Sequence, residues 1–320
     1  MPILDMSLDK LREYQGRNPR PADFDAFWEA SLAEMRRIDP APICTPSWFS
    51  TSYAECYDMT FTSTKGARIY AKLARPKALT AKAPAVLFFH GLSGSSTEWN
   101  ALMSYVAEGF VVAAMDCRGQ GGHSDDSASY TGTTFTTPFV RGVDGAPEGL
   151  YYRDVYLDCA MLARIVMGLD YVDETRVGCT GGSQGGGLTI ACASLVPEIK
   201  LCAPMYPYLS DYRRVWDMDL AKAAYEGMNY YFRHFDPTHE REEEFFEKLG
   251  YIDIQHLAPR IRAEVLMFTG LMDNVCPPST QFAAYNKITA KKNVEIYPDF
   301  GHETLPHAGE KIFMFLTKGL

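Results

Sequence analysis

The sequence predicts a mostly parallel, doubly wound α/β sheet with helices on both faces. Three observations lead there. Six short apolar runs follow one another between residues 83 and 303. They are continuous rather than alternating, as strands buried on both faces require. Stretches with helical spacing separate them, and strand–helix alternation at this rhythm marks a parallel sheet. Each run ends in a short Gly- or Asp-containing loop, which is where open α/β sheets bind ligands.

Taken in order, residues 5–15 and 23–37 have helical spacing. In the second, Phe24, Phe27, Trp28, Leu32 and Met35 share one face, with Pro21 and Asp23 as start signals. Residues 41–63 read as β, and the turn "STKGAR" makes a hairpin with the stretch that follows. The apolar runs are "APAVLFFHG", "FVVAAMDCRGQG", "RVGCTGGSQGG", "IKLCAPMYP", "AEVLMFTGLMD" and "KNVEIYPDFGHE". Helical patterns cover 97–107, 151–168, 184–194, 278–289 and 305–317. Residues 211–256 break the rhythm with a long aromatic-rich helical pattern, expected as an insertion over the sheet that lines either a pocket or an interface. Its acidic run "EREEEFFEK" reads as a solvated helix face. One domain, 1–320, is expected, with an N-terminal helical/β extension (1–80) and the helical insertion (211–256).

Bulk properties narrow the function. The 320 residues are 47% hydrophobic and 22% charged, with a net charge of −9. No Lys/Arg cluster exceeds a dipeptide, so nucleic acid is not an expected partner. Eight cysteines are scattered without a CxxC pair or zinc spacing. The N-terminus lacks the pattern of a signal peptide, and no run reaches the 18 apolar residues of a membrane span. A reducing cytoplasm is the expected compartment, and no metal or cofactor site is read from the chain.

The chemistry concentrates at Gly181-Gly182-Ser183-Gln184-Gly185. G-x-S-x-G between a strand and a helix is a nucleophile elbow, a turn so sharp that Gly181 and Gly185 must lack side chains. It presents the serine hydroxyl at a helix N-terminus, where developing negative charge is favoured. A phosphate loop would want a lysine after the glycines, and none is present. A serine hydroxyl needs a base, and the base needs an orienting acid. Order along the chain points to His302, in the loop after the last apolar run, and to Asp273, in the loop after the run before it. His234, His239 and His307 fit surface positions better; Asp253 precedes its strand and Asp299 lies too near His302.

An oxyanion hole should combine the backbone N–H of Gln184 with that of Leu92 in "HGLSGSS". His90 is expected to shape that loop. Arg118 and Gln120 in "DCRGQGGHS" are expected as structural support of the site, holding loop carbonyls or Asp116.

The loop "RGQGG" (118–122), the elbow "GGSQGG" (181–186) and the pair His302–Glu303 together resemble carbohydrate esterase family 7, the acetyl xylan esterase and cephalosporin-C deacetylase group of α/β-hydrolases. "PADFDAFWEASL", "HGLSGSS", "YPYLSDYRR" and "LAPRIRAEVLMFTGLMDNVCPPST" are similar to it as well, so the resemblance covers nearly the whole chain. It implies an α/β-hydrolase fold and an intracellular, metal-independent serine esterase. The expected substrates are short acetylated xylo-oligosaccharides and cephalosporin C, and the expected assembly is a homohexamer enclosing a cavity. Carried over by motif, Ser183, Asp273 and His302 match the triad, and Gln184 matches one oxyanion donor. The other donor is often tyrosine in that family, where this chain has Leu92. Other readings consistent with the residues are a short-chain carboxylesterase, another α/β-hydrolase, or a non-catalytic sugar-binding protein on this fold.

Overall fold

Continuous apolar runs become strands here because helices cover both faces of the sheet. The computed structural model describes residues 4–131 and 137–320. The strands are β1 (Ile43–Pro46), β2 (Ala54–Thr62), β3 (Arg68–Pro76), β4 (Ala83–Phe89), β5 (Val111–Met115), β6 (Val172–Gly182), β7 (Leu201–Met205), β8 (Glu264–Gly270) and β9 (Lys292–Tyr297). They form one sheet in the order β1-β2-β3-β5-β4-β6-β7-β8-β9. The three N-terminal strands are antiparallel to their neighbours, and β3 joins β5 antiparallel. From β5 to β9 every pairing is parallel. The chain therefore winds outward from β4 to β5, then back past β4 to β6. That reversal opens a crevice at the carboxyl ends of β4, β5 and β6, where such sheets bind ligands.

Along β4, Ala85, Leu87 and Phe89 enter one core, while Val86 enters the other. The first core is closed by α4 (Tyr151–Met167) and α5 (Gln184–Leu195), with α2 (Phe24–Arg36) packed outside α4. The second is closed by α3 (Trp99–Ala107) and α11 (Ala308–Gly319). α1 (Leu8–Glu13) lies against α10 (Pro278–Lys287).

Between β7 and β8 the chain forms α6 (Tyr212–Asp217), α7 (Gly227–Phe235), α8 (Glu242–Gly250) and α9 (Ile254–Leu257). Glu242, Glu243 and Glu244 fill the first turn of α8, where the helix dipole favours acids. Arg213 pairs with Glu242 and Glu243, and Phe245 and Phe246 are buried beneath. The N-terminal segment is tied to this insertion. Tyr14 Oη and the backbone N–H groups of Arg17 and Asn18 all donate to Asp211, at 2.8–2.9 Å.

Some boundaries differ from the sequence reading. The last helix starts at Ala308 rather than 305, because Pro306 and a left-handed His307 (φ 63°) delay it. Asp23 precedes α2 but makes no side-chain cap; its carboxylate takes the Tyr251 hydroxyl at 2.5 Å.

Candidate active site

Ser183 sits between the end of β6 and the start of α5 with φ 58° and ψ −120°, a strained backbone for a residue with a side chain. The flanking glycines explain how the turn closes. A Cβ on Gly181 would lie 2.4 Å from the Phe89 carbonyl oxygen, and one on Gly185 only 2.0 Å from the same atom. The end of β4 therefore passes through the space that side chains at 181 and 185 would need. Gly186 and Gly187 make room in the same way for the carbonyls of Met205 and Tyr208.

The loops after β8 and β9 converge on this turn. His302 Nε2 lies 2.9 Å from Ser183 Oγ, and His302 Nδ1 lies 2.8 Å from Asp273 Oδ2. Asp273 is fully buried, and its other oxygen accepts the N–H groups of Val275 and Cys276. Those two bonds fix the carboxylate edge that faces the imidazole. With Nδ1 facing a carboxylate, the proton rests there and Nε2 is left to accept from the serine.

Gln184 and Leu92 enter on the remaining side. Gln184 is the first residue of α5, so its N–H has no partner within the helix. Neither it nor the Leu92 N–H has a hydrogen-bond partner among the described residues. The Gln184 side chain, fully buried, holds the site from behind. Its amide faces that of Gln120 reciprocally, at 2.7 and 3.1 Å, and also accepts from Tyr152 Oη at 2.7 Å. Gln120 Oε1 in turn accepts the Ser93 N–H at 2.8 Å. One amide thus bridges the loop bearing Leu92 and the elbow bearing Ser183.

Arg118 binds neither Asp116 nor the carbonyls of its own loop, the two partners expected of it, and reaches Asp158 and Thr64 instead. It is buried and makes a two-pronged bond to Asp158 on α4, at 2.7 and 2.6 Å, with Thr64 completing the set. Burial opposes its charge, but the carboxylates of Asp158 and Asp154 outweigh it and hold the guanidinium above its ordinary value. Asp116 instead accepts from the N–H groups of Ser96 and His123. His90 accepts the Cys117 N–H at Nε2 and faces the Gly91 carbonyl with Nδ1, so it joins two loops as a neutral ring. Burial pushes its pKa down accordingly.

Two neighbours of the site have no sequence signature. The Tyr206 ring packs against His302 at 4.6 Å between centroids, on a backbone held at φ 33°. Cys276 is buried with its sulfur within 4.8 Å of ligand atoms of Asp273 and His302, and burial keeps it a thiol. Asp273, Cys276 and His302 are the one group among the described residues whose potential metal-ligand atoms lie within 4.8 Å of one another. Asp273 and His302 already hydrogen-bond each other through these atoms.

A doubly wound sheet with a strained serine at the β6–α5 turn, facing a histidine and a buried aspartate, defines a hydrolase with the α/β-hydrolase fold. The acetyl xylan esterase (AXE1) family profile matches residues 1–319. The chain is similar to acetyl xylan esterase 1 from Thermoanaerobacterium sp. JW/SL YS485, with 53% identity over 98% of this chain and 99% of that one, at a TM-score of 0.97. It is similar to an acetyl xylan esterase from Paenibacillus sp. R4, with 34% identity over 98% and 100% of the two chains, at a TM-score of 0.93. A curated relative, acetyl esterase Axe7A of Xylanibacter ruminicola, is 30% identical over 99% of this chain and 74% of its own length. The chain belongs to the acetyl xylan esterase family and is a carboxylic ester hydrolase.

Proposed function

We propose that this chain is a serine esterase that removes acetyl groups from acetylated xylan fragments through an acyl-enzyme. The observation that carries the reading is the contact of His302 with Ser183 on one side and buried Asp273 on the other. His302 takes the Ser183 proton as Oγ attacks the acetyl carbonyl. The N–H groups of Gln184 and Leu92 hold the resulting oxyanion. His302 then gives the proton to the leaving sugar oxygen, and the carbonyl re-forms on Ser183 as an acetyl ester. Water, deprotonated by the same histidine, attacks that ester, and His302 returns the proton to Ser183 Oγ as the acyl bond breaks and acetate leaves. Asp273 keeps the imidazole oriented and stabilises its charged form. Apart from substrate and water, every group these steps use belongs to the chain, so the reading needs no metal. Cephalosporin C carries a comparable acetyl ester and is a second substrate on this reading.

The finer setting is part of the same proposal. All eight cysteines are free thiols, which supports a reducing cytoplasm. No helix among the described residues is long and apolar enough to cross a membrane. The homohexamer rests on the family resemblance, and sedimentation velocity tests it.

The deciding experiment is hydrolysis of p-nitrophenyl acetate, butyrate and octanoate in EDTA, beside Ser183→Ala. Fast acetate turnover, steep loss with chain length and an inactive variant are expected. Activity retained by Ser183→Ala would overturn the mechanism, and preference for octanoate would overturn the deacetylase assignment.

A further inference from the structure

A cavity of about 850 Å³ lies outside the Ser183 site, between β2, β3 and residues 95–100, which lead into the first turn of α3. Neither Ser183, Asp273 nor His302 lines it. Its volume is that of a small-molecule site. One wall is a run of aromatic rings: Trp99 stacks on Phe49 at 5.9 Å and 9°, and Phe49 meets Trp48 edge-on at 5.8 Å. Trp48, at the outer end, is 86% exposed. An indole left in water beside a stacked pair offers an unoccupied flat apolar surface.

The rest of the lining includes polar groups with spare capacity. Asp58 gives one oxygen to the Tyr70 hydroxyl at 2.5 Å. Its other oxygen, the Glu98 carboxylate and the Asn100 amide have no hydrogen-bond partner among the described residues. Lys72 sits in their midst, 5.6 Å from the Trp99 ring centre, donating to the carbonyls of Ser96 and Thr97. The carboxylates disfavour an anion, and Lys72 disfavours a cation. A neutral ligand with an apolar face and many hydroxyls suits both kinds of lining: its C–H face covers indole, and its hydroxyls donate to carboxylates, the stronger kind of hydrogen bond.

We infer that this cavity is a second saccharide site, which holds an unacetylated stretch of a xylan chain while an acetylated unit reaches Ser183. The ligand class rests on the esterase reading; the site itself rests on the cavity. The two sites share a loop. Leu92 and Ser96 are four residues apart, a span of at most about 14 Å, which is within the length of a short oligosaccharide.

The test uses xylohexaose, which has no ester, titrated calorimetrically into full-length Ser183→Ala protein. Binding is expected, and adding Trp48→Ala or Asn100→Ala, both exposed positions, should weaken it about tenfold, the size one aromatic contact or one hydrogen bond carries. In the active chain, Trp48→Ala should raise KM for acetylated xylohexaose, leave kcat near its original value and leave p-nitrophenyl acetate turnover unchanged. No binding of xylohexaose, or equal binding with Trp48→Ala, overturns the proposal. So does a Trp48→Ala chain that changes only its sedimentation coefficient, which would make this face a contact between copies. Loss of p-nitrophenyl acetate turnover in the original chain would instead strike at the esterase reading, which the xylohexaose titration does not depend on.

Discussion

The side-chain amides of Gln120 and Gln184 face each other in a reciprocal pair across the crevice between the loops after β5 and β6. Gln120 also holds the Ser93 N–H, next to Leu92. It therefore sets the spacing between both proposed oxyanion donors without touching substrate. Gln120→Ala should lower kcat for p-nitrophenyl acetate about 10- to 100-fold, the usual effect of removing an orienting partner. KM should stay nearly constant, because the lost interaction serves the tetrahedral intermediate. An unchanged kcat would remove Gln120 from the positioning role.

Ser183 and His302 act as one unit on the proposed mechanism, joined by a 2.9 Å contact. Ser183→Ala and His302→Gln should each reduce kcat by about 10⁴ or more, and the double variant should be no worse than either alone. Losses that multiply would show two independent contributions and would contradict the shared proton. Steady-state kinetics on all three variants decides it.

Glycines in this chain differ in what surrounds them, and the difference is measurable. Gly185→Ala places a methyl group 2.0 Å from the Phe89 carbonyl oxygen. The backbone must move, so the variant should lose about 1–3 kcal/mol of stability, and turnover with it. Gly309→Ala meets nothing within 4 Å in the exposed first turn of α11. It should gain up to about 1 kcal/mol by restricting the unfolded chain. Thermal melting of the two variants should shift in opposite directions.

His256 provides a pH test. Burial, aided by nearby Lys287, pushes its pKa down from 6.5 to about 3. The ring is neutral when folded and gains a proton below pH 6.5 once unfolded. Its contribution is thus fully present above pH 6.5 and is lost as pH falls toward 3, by up to about 1.4 kcal/mol per unit. Asp253 works oppositely: burial beside Asp211 raises it to about 7, so its contribution is present below 3.8 and lost as pH rises through 7. His256→Gln should leave the Asp253 slope unopposed. Urea midpoints at about pH 5 and about pH 7.5 should then show relatively greater acid stability in the variant than in the original chain. The same pH dependence in both chains would refute the assignment.

What the sequence made legible was whatever is encoded locally. β4, β5 and β7 announce themselves as continuous apolar runs, because each is buried on both faces, while the edge strand β9 is only half-buried and its run is mixed. The elbow is legible because Gly181, Ser183 and Gly185 are neighbours in sequence. Asp273 and His302 follow from strand order once the fold class is fixed. Contacts between distant segments were not legible. From the sequence Arg118 is expected to hold neighbouring loop carbonyls or Asp116, yet its guanidinium reaches Asp158, 40 residues away on α4, because only the packed rotation of that helix decides which carboxylate faces inward. The Tyr206 ring on His302 and the binding of residues 14–18 to Asp211 have the same character.

The three groups joined at Ser183 sit on loops leaving β6, β8 and β9, with Ser183 and His302 119 positions apart in the chain. No fragment short of the last strand contains the relay, and any misordering of the sheet's final strands pulls it apart. Turnover is therefore a gauge of finished folding. In a refolding experiment, ester hydrolysis should appear only after helix signals and core fluorescence have recovered, and its delay times the docking of the chain's last fifth.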